Sequence, residues 1–149
     1  MTQTLQLSPV TKLELKTFAQ SGLDPISSIV KDYGKVYVTS ITRDGCSGCD
    51  EQKSLFRDLA TRLDGQHFGK VAFSNLHIQY TEGDARMSEE AKRMFHHGSY
   101  PTYMIHVKSK YGPLEHYRAA YPRMEELEKQ INNAFELAES YAKQAQRPA

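Results

Sequence analysis

The stretch Val36-Tyr37-Val38-Thr39-Ser40-Ile41-Thr42-Arg43-Asp44-Gly45-Cys46-Ser47-Gly48-Cys49 decides how this chain reads. Its first part, within residues 35–42, is β-branched and aromatic, too short for a helix, and bounded by Gly34 and by Asp44-Gly45; these are the marks of a buried strand. Behind the cysteines, Leu55, Phe56, Leu59, Ala60 and Leu63 recur at helical spacing until Asp64-Gly65 interrupts them, which predicts a helix over 47–63. The two cysteines therefore stand where a strand hands over to a long helix.

That position gives them a chemistry. The unpaired N–H groups and dipole at a helix N-terminus stabilise a thiolate, so Cys46 is expected to have a lowered pKa and to be the attacking sulfur. Cys49 lies one turn on, points to the same side within reach of a disulfide, and is expected to be more buried and to resolve a mixed disulfide. Gly48 lets the turn close without steric strain, and Ser47 and Gly48 together tune the balance between thiolate and disulfide. Asp44 and Asp50 oppose the thiolate, while Arg43 favours it. Two other readings stand beside the redox one. Zinc would need two further ligands, for which His96 and His97 are the candidates, and the pair could also be inert.

Outward from the motif, residues 71–80 alternate in part and read as a second strand, closed by Glu82-Gly83-Asp84. A helix over 85–97 carries Ala91, Met94 and Phe95 inward and is expected to stop at a left-handed Gly98. Residues 103–107 and 114–119 read as strands joined tightly through Lys110-Tyr111-Gly112-Pro113, hence as antiparallel neighbours. Pro122 opens the longest helix, whose stripe runs from Met124 through Leu127, Ile131, Ala134, Phe135 and Ala138 to Tyr141. Towards the N-terminus, Ser8-Pro9 reads as a helix start ahead of Leu13, Leu15 and Phe18, and a short helix over 25–32 ends at Gly34. The order of elements demands a right-handed βαβ crossover followed by a ββα unit. The expected organisation is an N-terminal helical extension over 1–34, a domain over 35–144 and a frayed tail over 145–149.

With 149 residues, 39% of them hydrophobic and 25% charged, the chain supports one core beneath a solvated surface. A net charge of +1 gives no field that would make nucleic acid or an anionic membrane its main partner. Residues 1–10 lack a basic region followed by an apolar one, and no apolar run approaches bilayer length, so a cytoplasmic protein is expected. Two cysteines that close so short a loop remove little chain entropy, so they are not a structural framework.

These residues resemble the thioredoxin family over about residues 35–141, through the strand, Cys46-Ser47-Gly48-Cys49 opening a helix, and Tyr100-Pro101-Thr102 opening the strand after the second helix. The resemblance implies an α/β thioredoxin-like fold with a four-stranded mixed sheet flanked by helices. It implies that Pro101 is cis and packs against the dithiol, and that the backbone of Tyr100 pairs with a substrate chain like an added strand. Gly45, Ser47 and Gly48 would join Tyr100 and Pro101 as substrate contacts. Several positions depart from the family. Gly45 replaces the aromatic residue usual before the first cysteine, and Gly48 the usual proline. Ser40 aligns with the buried acid and Asn75 with the lysine near it, so both usual proton-handling partners are missing. The substrate-binding glycine before the last helix aligns with Ala119. These changes describe a divergent member.

The function expected is a thiol-disulfide oxidoreductase that reduces protein disulfides, with an unidentified reductase as electron donor and no cofactor or metal. The alternative is a thioredoxin-like binding module whose disulfide is a redox switch. The bland readings are a packing role for His106 on its strand, and core or edge packing for most of Tyr100, Tyr103, Tyr111, Tyr117 and Tyr121.

Overall fold

A computed structural model describes residues 9–22 and 24–146. The elements are β1 (Val10–Leu13), α1 (Leu15–Ser21), α2 (Pro25–Ile29), β2 (Val36–Arg43), α3 (Ser47–Gln66), β3 (Val71–Ile78), α4 (Arg86–Phe95), β4 (Thr102–Ser109), β5 (Gly112–Ala120) and α5 (Met124–Gln146). They build one sheet in the order β1-β3-β2-β4-β5. The strands β1, β3 and β2 run parallel, and β4 and β5 are antiparallel to their neighbours.

Strand alternation divides the core into two halves. On one face Val36, Val38, Phe73, Tyr103 and Ile105 meet Phe56, Leu59 and Leu63 of α3 and Leu127, Ile131 and Ala134 of α5. On the other, Ile41, Leu76, Ile78 and Met104 meet Leu15 and Phe18 of α1 and Ala91 and Phe95 of α4. Phe18 and Phe95 meet edge to face at 5.7 Å, an arrangement favoured by the ring quadrupoles.

The sheet has five strands rather than the expected four, and the N-terminal segment is not wholly helical. Val10 and Leu13 are half-buried with Thr11 and Lys12 exposed between them, and this inward spacing of three mimics a helix. Four residues hold too little period to separate the two templates, and pairing with Phe73 to Leu76 decides for strand. Ser8, read as a helix cap, lies outside the described residues; Pro9 precedes β1, and the helix begins at Leu15. Three boundaries also move. The first long helix continues through Asp64-Gly65 to Gln66, with His67 N–H donating to Leu63 O at 2.8 Å. The second helix stops at Phe95 because His96, not Gly98, takes the left-handed conformation (φ 56°). The last helix begins at Met124 and is described through Gln146.

Candidate active site

Gly45 takes a left-handed turn (φ 67°) at the end of β2, a conformation that costs glycine nothing. The turn delivers Cys46 to the N-cap of α3, where its Sγ accepts a hydrogen bond from the Cys49 backbone N–H at 3.1 Å. Cys46 and Cys49 are joined as a disulfide with their Cα atoms 5.2 Å apart. The bridge is covered: Cys46 is 8% and Cys49 4% exposed. In the reduced state an N-cap sulfur facing a backbone N–H and the positive end of a 20-residue helix is stabilised as a thiolate.

The flanking charges are engaged elsewhere. The Asp44 carboxylate accepts from His77 Nε2 at 2.7 Å and from the Tyr80 backbone N–H at 3.2 Å. The His77 hydrogen bond, then the backbone one, holds its pKa below the usual carboxylate value. The Arg43 guanidinium lies over the Tyr80 ring, 3.9 Å from its centroid, with the Tyr100 ring at 5.6 Å, a cation–π arrangement.

The peptide bond between Tyr100 and Pro101 is cis. Pro101 borders the motif, with its Cδ 3.4 Å from where a Cβ on Gly48 would lie. The Tyr100 side chain turns towards α4, where its hydroxyl meets Ser88 Oγ at 3.0 Å and its ring takes the edge of His97 at 5.0 Å. His97 is buried, and neither ring nitrogen has a hydrogen-bond partner. Burial, with Arg118 and Lys92 nearby, lowers its pKa to about 4. Among the described residues there is no group of three or more His, Cys, Asp or Glu side chains that could hold a metal ion.

Ser40 and Asn75 are opposite each other in the β2–β3 register. Asn75 Nδ2 donates to Ser40 Oγ at 2.8 Å and to Thr42 Oγ1 at 3.1 Å, and Thr42 Oγ1 lies 2.9 Å from His77 Nδ1. These four side chains, Cys49, Asp50 and Lys53 are among those that line a cleft of about 670 Å³.

Two features escaped the sequence reading. Ala119 is not in the loop before the last helix; it lies in β5 opposite Tyr103. The loop begins instead at Tyr121, whose ring lies over Gly48. The glycine at position 48 was the available signal, because a missing side chain inside the motif leaves room for another group.

No protein-family model and no curated protein matches the sequence. Solved structures do match it. A thioredoxin from Trichomonas vaginalis superposes with a TM-score of 0.64 at 10% identity, covering 85% of this chain and 98% of that one. The chain has the thioredoxin fold. A thioredoxin from Malassezia sympodialis gives a TM-score of 0.57 at 15% identity, covering 90% of this chain and 97% of that one. A chain from the complex of ferredoxin:thioredoxin reductase and thioredoxin f2 gives 0.56 at 15% identity, covering 84% and 94%. On this thioredoxin fold the disulfide occupies a strand-to-helix junction beside the Pro101 turn.

Proposed function

We propose that the protein is a thiol-disulfide oxidoreductase that reduces protein disulfides. The observation that carries this is the Cys46–Cys49 bridge at the N-cap of α3, with Cys46 Sγ already accepting a backbone N–H. The Cys46 thiolate attacks one sulfur of a substrate disulfide, forms a mixed disulfide and releases the other substrate sulfur as a thiolate, which takes up a proton. Cys49, deprotonated, then attacks Cys46 Sγ. The substrate leaves as its second thiol, and the Cys46–Cys49 disulfide forms. Two electrons have passed to the substrate, and a dithiol or reductase must return them. One solved structure of this fold was determined in a complex with ferredoxin:thioredoxin reductase, which supports a reductase as the class of donor. Gly45, Ser47, Gly48, Tyr100 and Pro101 form the substrate contact surface in this reading, supported by the approach of Pro101 to Gly48. No helix among the described residues is long and apolar enough to cross a membrane, and the reducing cytoplasm is the compartment that suits a reductase.

Reduction of insulin by dithiothreitol, followed by precipitation of the freed chain, tests the proposal. The parent is expected to accelerate it and Cys46→Ser to return it to background; a parent at background defeats the reading. The neutral Ser40–Asn75 pair favours a second reading, a binding module whose disulfide is a switch. That reading predicts a measurable reduction potential without turnover.

A further inference from the structure

The loop between β5 and α5 is tied to the motif at three points. The Tyr121 backbone N–H donates to Pro101 O at 3.0 Å, the Tyr121 hydroxyl donates to the Glu51 carboxylate, and the buried Gln52 donates through Nε2 to Pro122 O at 2.7 Å. Glu51 and Gln52 stand two and three residues after Cys49 on α3, so all three ties end on the motif helix or on the proline turn beside it. Tyr121 is held at φ 48°, a left-handed conformation rare and unfavourable for a bulky residue unless its surroundings enforce it. Its Cδ2 and Cε2 lie 2.9 Å from where a Cβ on Gly48 would stand. Any side chain at position 48 would have to displace the ring, so the glycine inside the motif and the tyrosine over it are one steric unit.

Tyr121 is 47% exposed, while Cys46 and Cys49, on either side of Gly48 in the chain, are 8% and 4% exposed. A chain that pairs with Tyr100 and Pro101 would run close to a ring tied to Pro101 O and seated on Gly48. We infer that Tyr121 is a specificity-determining residue that narrows access to the dithiol. It admits small disulfides and extended, locally unfolded chain segments, and it turns away disulfides held in folded, bulky surroundings. Glu51 is the positioning residue that keeps the ring in place. This rests on the reductase reading for its substrate class, but the access it describes is measurable without turnover.

The experiment reduces the parent, Tyr121→Gly, Tyr121→Phe and Glu51→Gln, then compares alkylation of Cys46 by iodoacetamide with alkylation by a maleimide carried on a large polymer. Tyr121→Gly is expected to speed the polymer reagent about tenfold, equivalent to ~1.4 kcal/mol of barrier, and to leave iodoacetamide within about twofold. Tyr121→Phe and Glu51→Gln each weaken the same hydroxyl–carboxylate hydrogen bond while keeping the ring, and both are expected to fall between, with Tyr121→Phe moved at least as far as Glu51→Gln. In turnover, Tyr121→Gly should raise kcat/KM for a folded protein disulfide by a larger factor than for a small aromatic disulfide. A polymer-to-small-reagent ratio that Tyr121→Gly does not move overturns the inference, whether or not the parent reduces insulin. As a check on the contact itself, Gly48→Ala should lower Tm in the parent and less so in the Tyr121→Gly background; equal losses in both also overturn it.

Discussion

Asn75 donates to Ser40 Oγ at 2.8 Å across the β2–β3 pair, in the cleft that also receives Cys49. Both side chains are neutral at every accessible pH, so neither can take a proton from Cys49 as a carboxylate would. Ser40→Asp is expected to speed resolution of the mixed disulfide near neutral pH and to add a titration to its pH–rate profile. Ser40 is 2% exposed, so burying a carboxylate there is expected to lower stability by about 1–3 kcal/mol. Stopped-flow resolution rates between pH 5 and 9, roughly the span of carboxylate and thiol perturbation, together with urea melts, would measure both. An unchanged profile would show that proton uptake does not pass through this position.

His77 sets the charge at Asp44. Its hydrogen bond lowers the Asp44 pKa from 3.8, so folding is favoured by that ion above the ordinary carboxylate pKa. The contribution is lost as pH falls through the lower, folded value. His77→Ala is expected to return the Asp44 pKa towards 3.8, as read from the carboxyl carbon shift in an NMR titration. A titration midpoint that stays where it is in the parent contradicts this account of the site's flank.

His97 and His106 are buried, 7% and 3% exposed, and burial lowers the pKa of each from 6.5 to about 4. The unfolded chain binds these protons below pH 6.5 and the folded chain does not until near 4, so stability rises with pH across that window. Each ring accounts for a loss on the order of 2–3 kcal/mol on acidification. His97→Phe preserves an aromatic edge on Tyr100 and removes two unpartnered nitrogens. It is expected to match the parent near neutral pH and to lose less stability at pH 4.5, within that same interval. Denaturant melts at the two pH values decide; a parallel loss in parent and variant rules out His97 as a source of acid sensitivity.

Phe56 sits about two turns behind Cys49 on α3, with Phe73 at 5.8 Å and Tyr103 at 5.3 Å. Phe56→Ala is expected to cost about 3–5 kcal/mol through the cavity left between α3 and the sheet. Thermal melts of the oxidised protein would detect a smaller loss, which would mean that the helix settles into the gap.

The strand-to-helix junction was legible because its signals are local: a β-branched run, a Gly45 turn and a helical stripe behind Cys49 all lie within one stretch. The Tyr100–Pro101 turn was legible through the resemblance to the thioredoxin family. What escaped depends on distance or on competition between templates. Val10–Leu13 has the inward spacing of a helix, and only the register with β3 makes it a strand. The helix expected to stop at Gly98 stops two residues earlier because His96 accepts a left-handed backbone. The chain of contacts from Ser40 through Asn75 and Thr42 to His77 joins residues 33 to 35 positions apart, which parallel pairing brings together and no local period announces. Tyr121 over Gly48 is the same kind of miss. The β4–β5 ladder shifts register between Ile105 and His106, an irregularity that no local sequence period announces, and β5 runs on through Ala119 to Ala120, so the loop begins at Tyr121.

The most direct measurement compares the two single-cysteine variants. Cys49→Ser retains Cys46, and Cys46→Ser retains Cys49; each is mixed with a small aromatic disulfide at pH 7, and release of the aromatic thiolate is timed. With Cys46 Sγ at the helix N-cap and Cys49 more deeply covered, Cys49→Ser is expected to react at least about tenfold faster and to accumulate a mixed disulfide on Cys46. Equal rates, or faster reaction through Cys49, would contradict the assignment of Cys46 as the nucleophile.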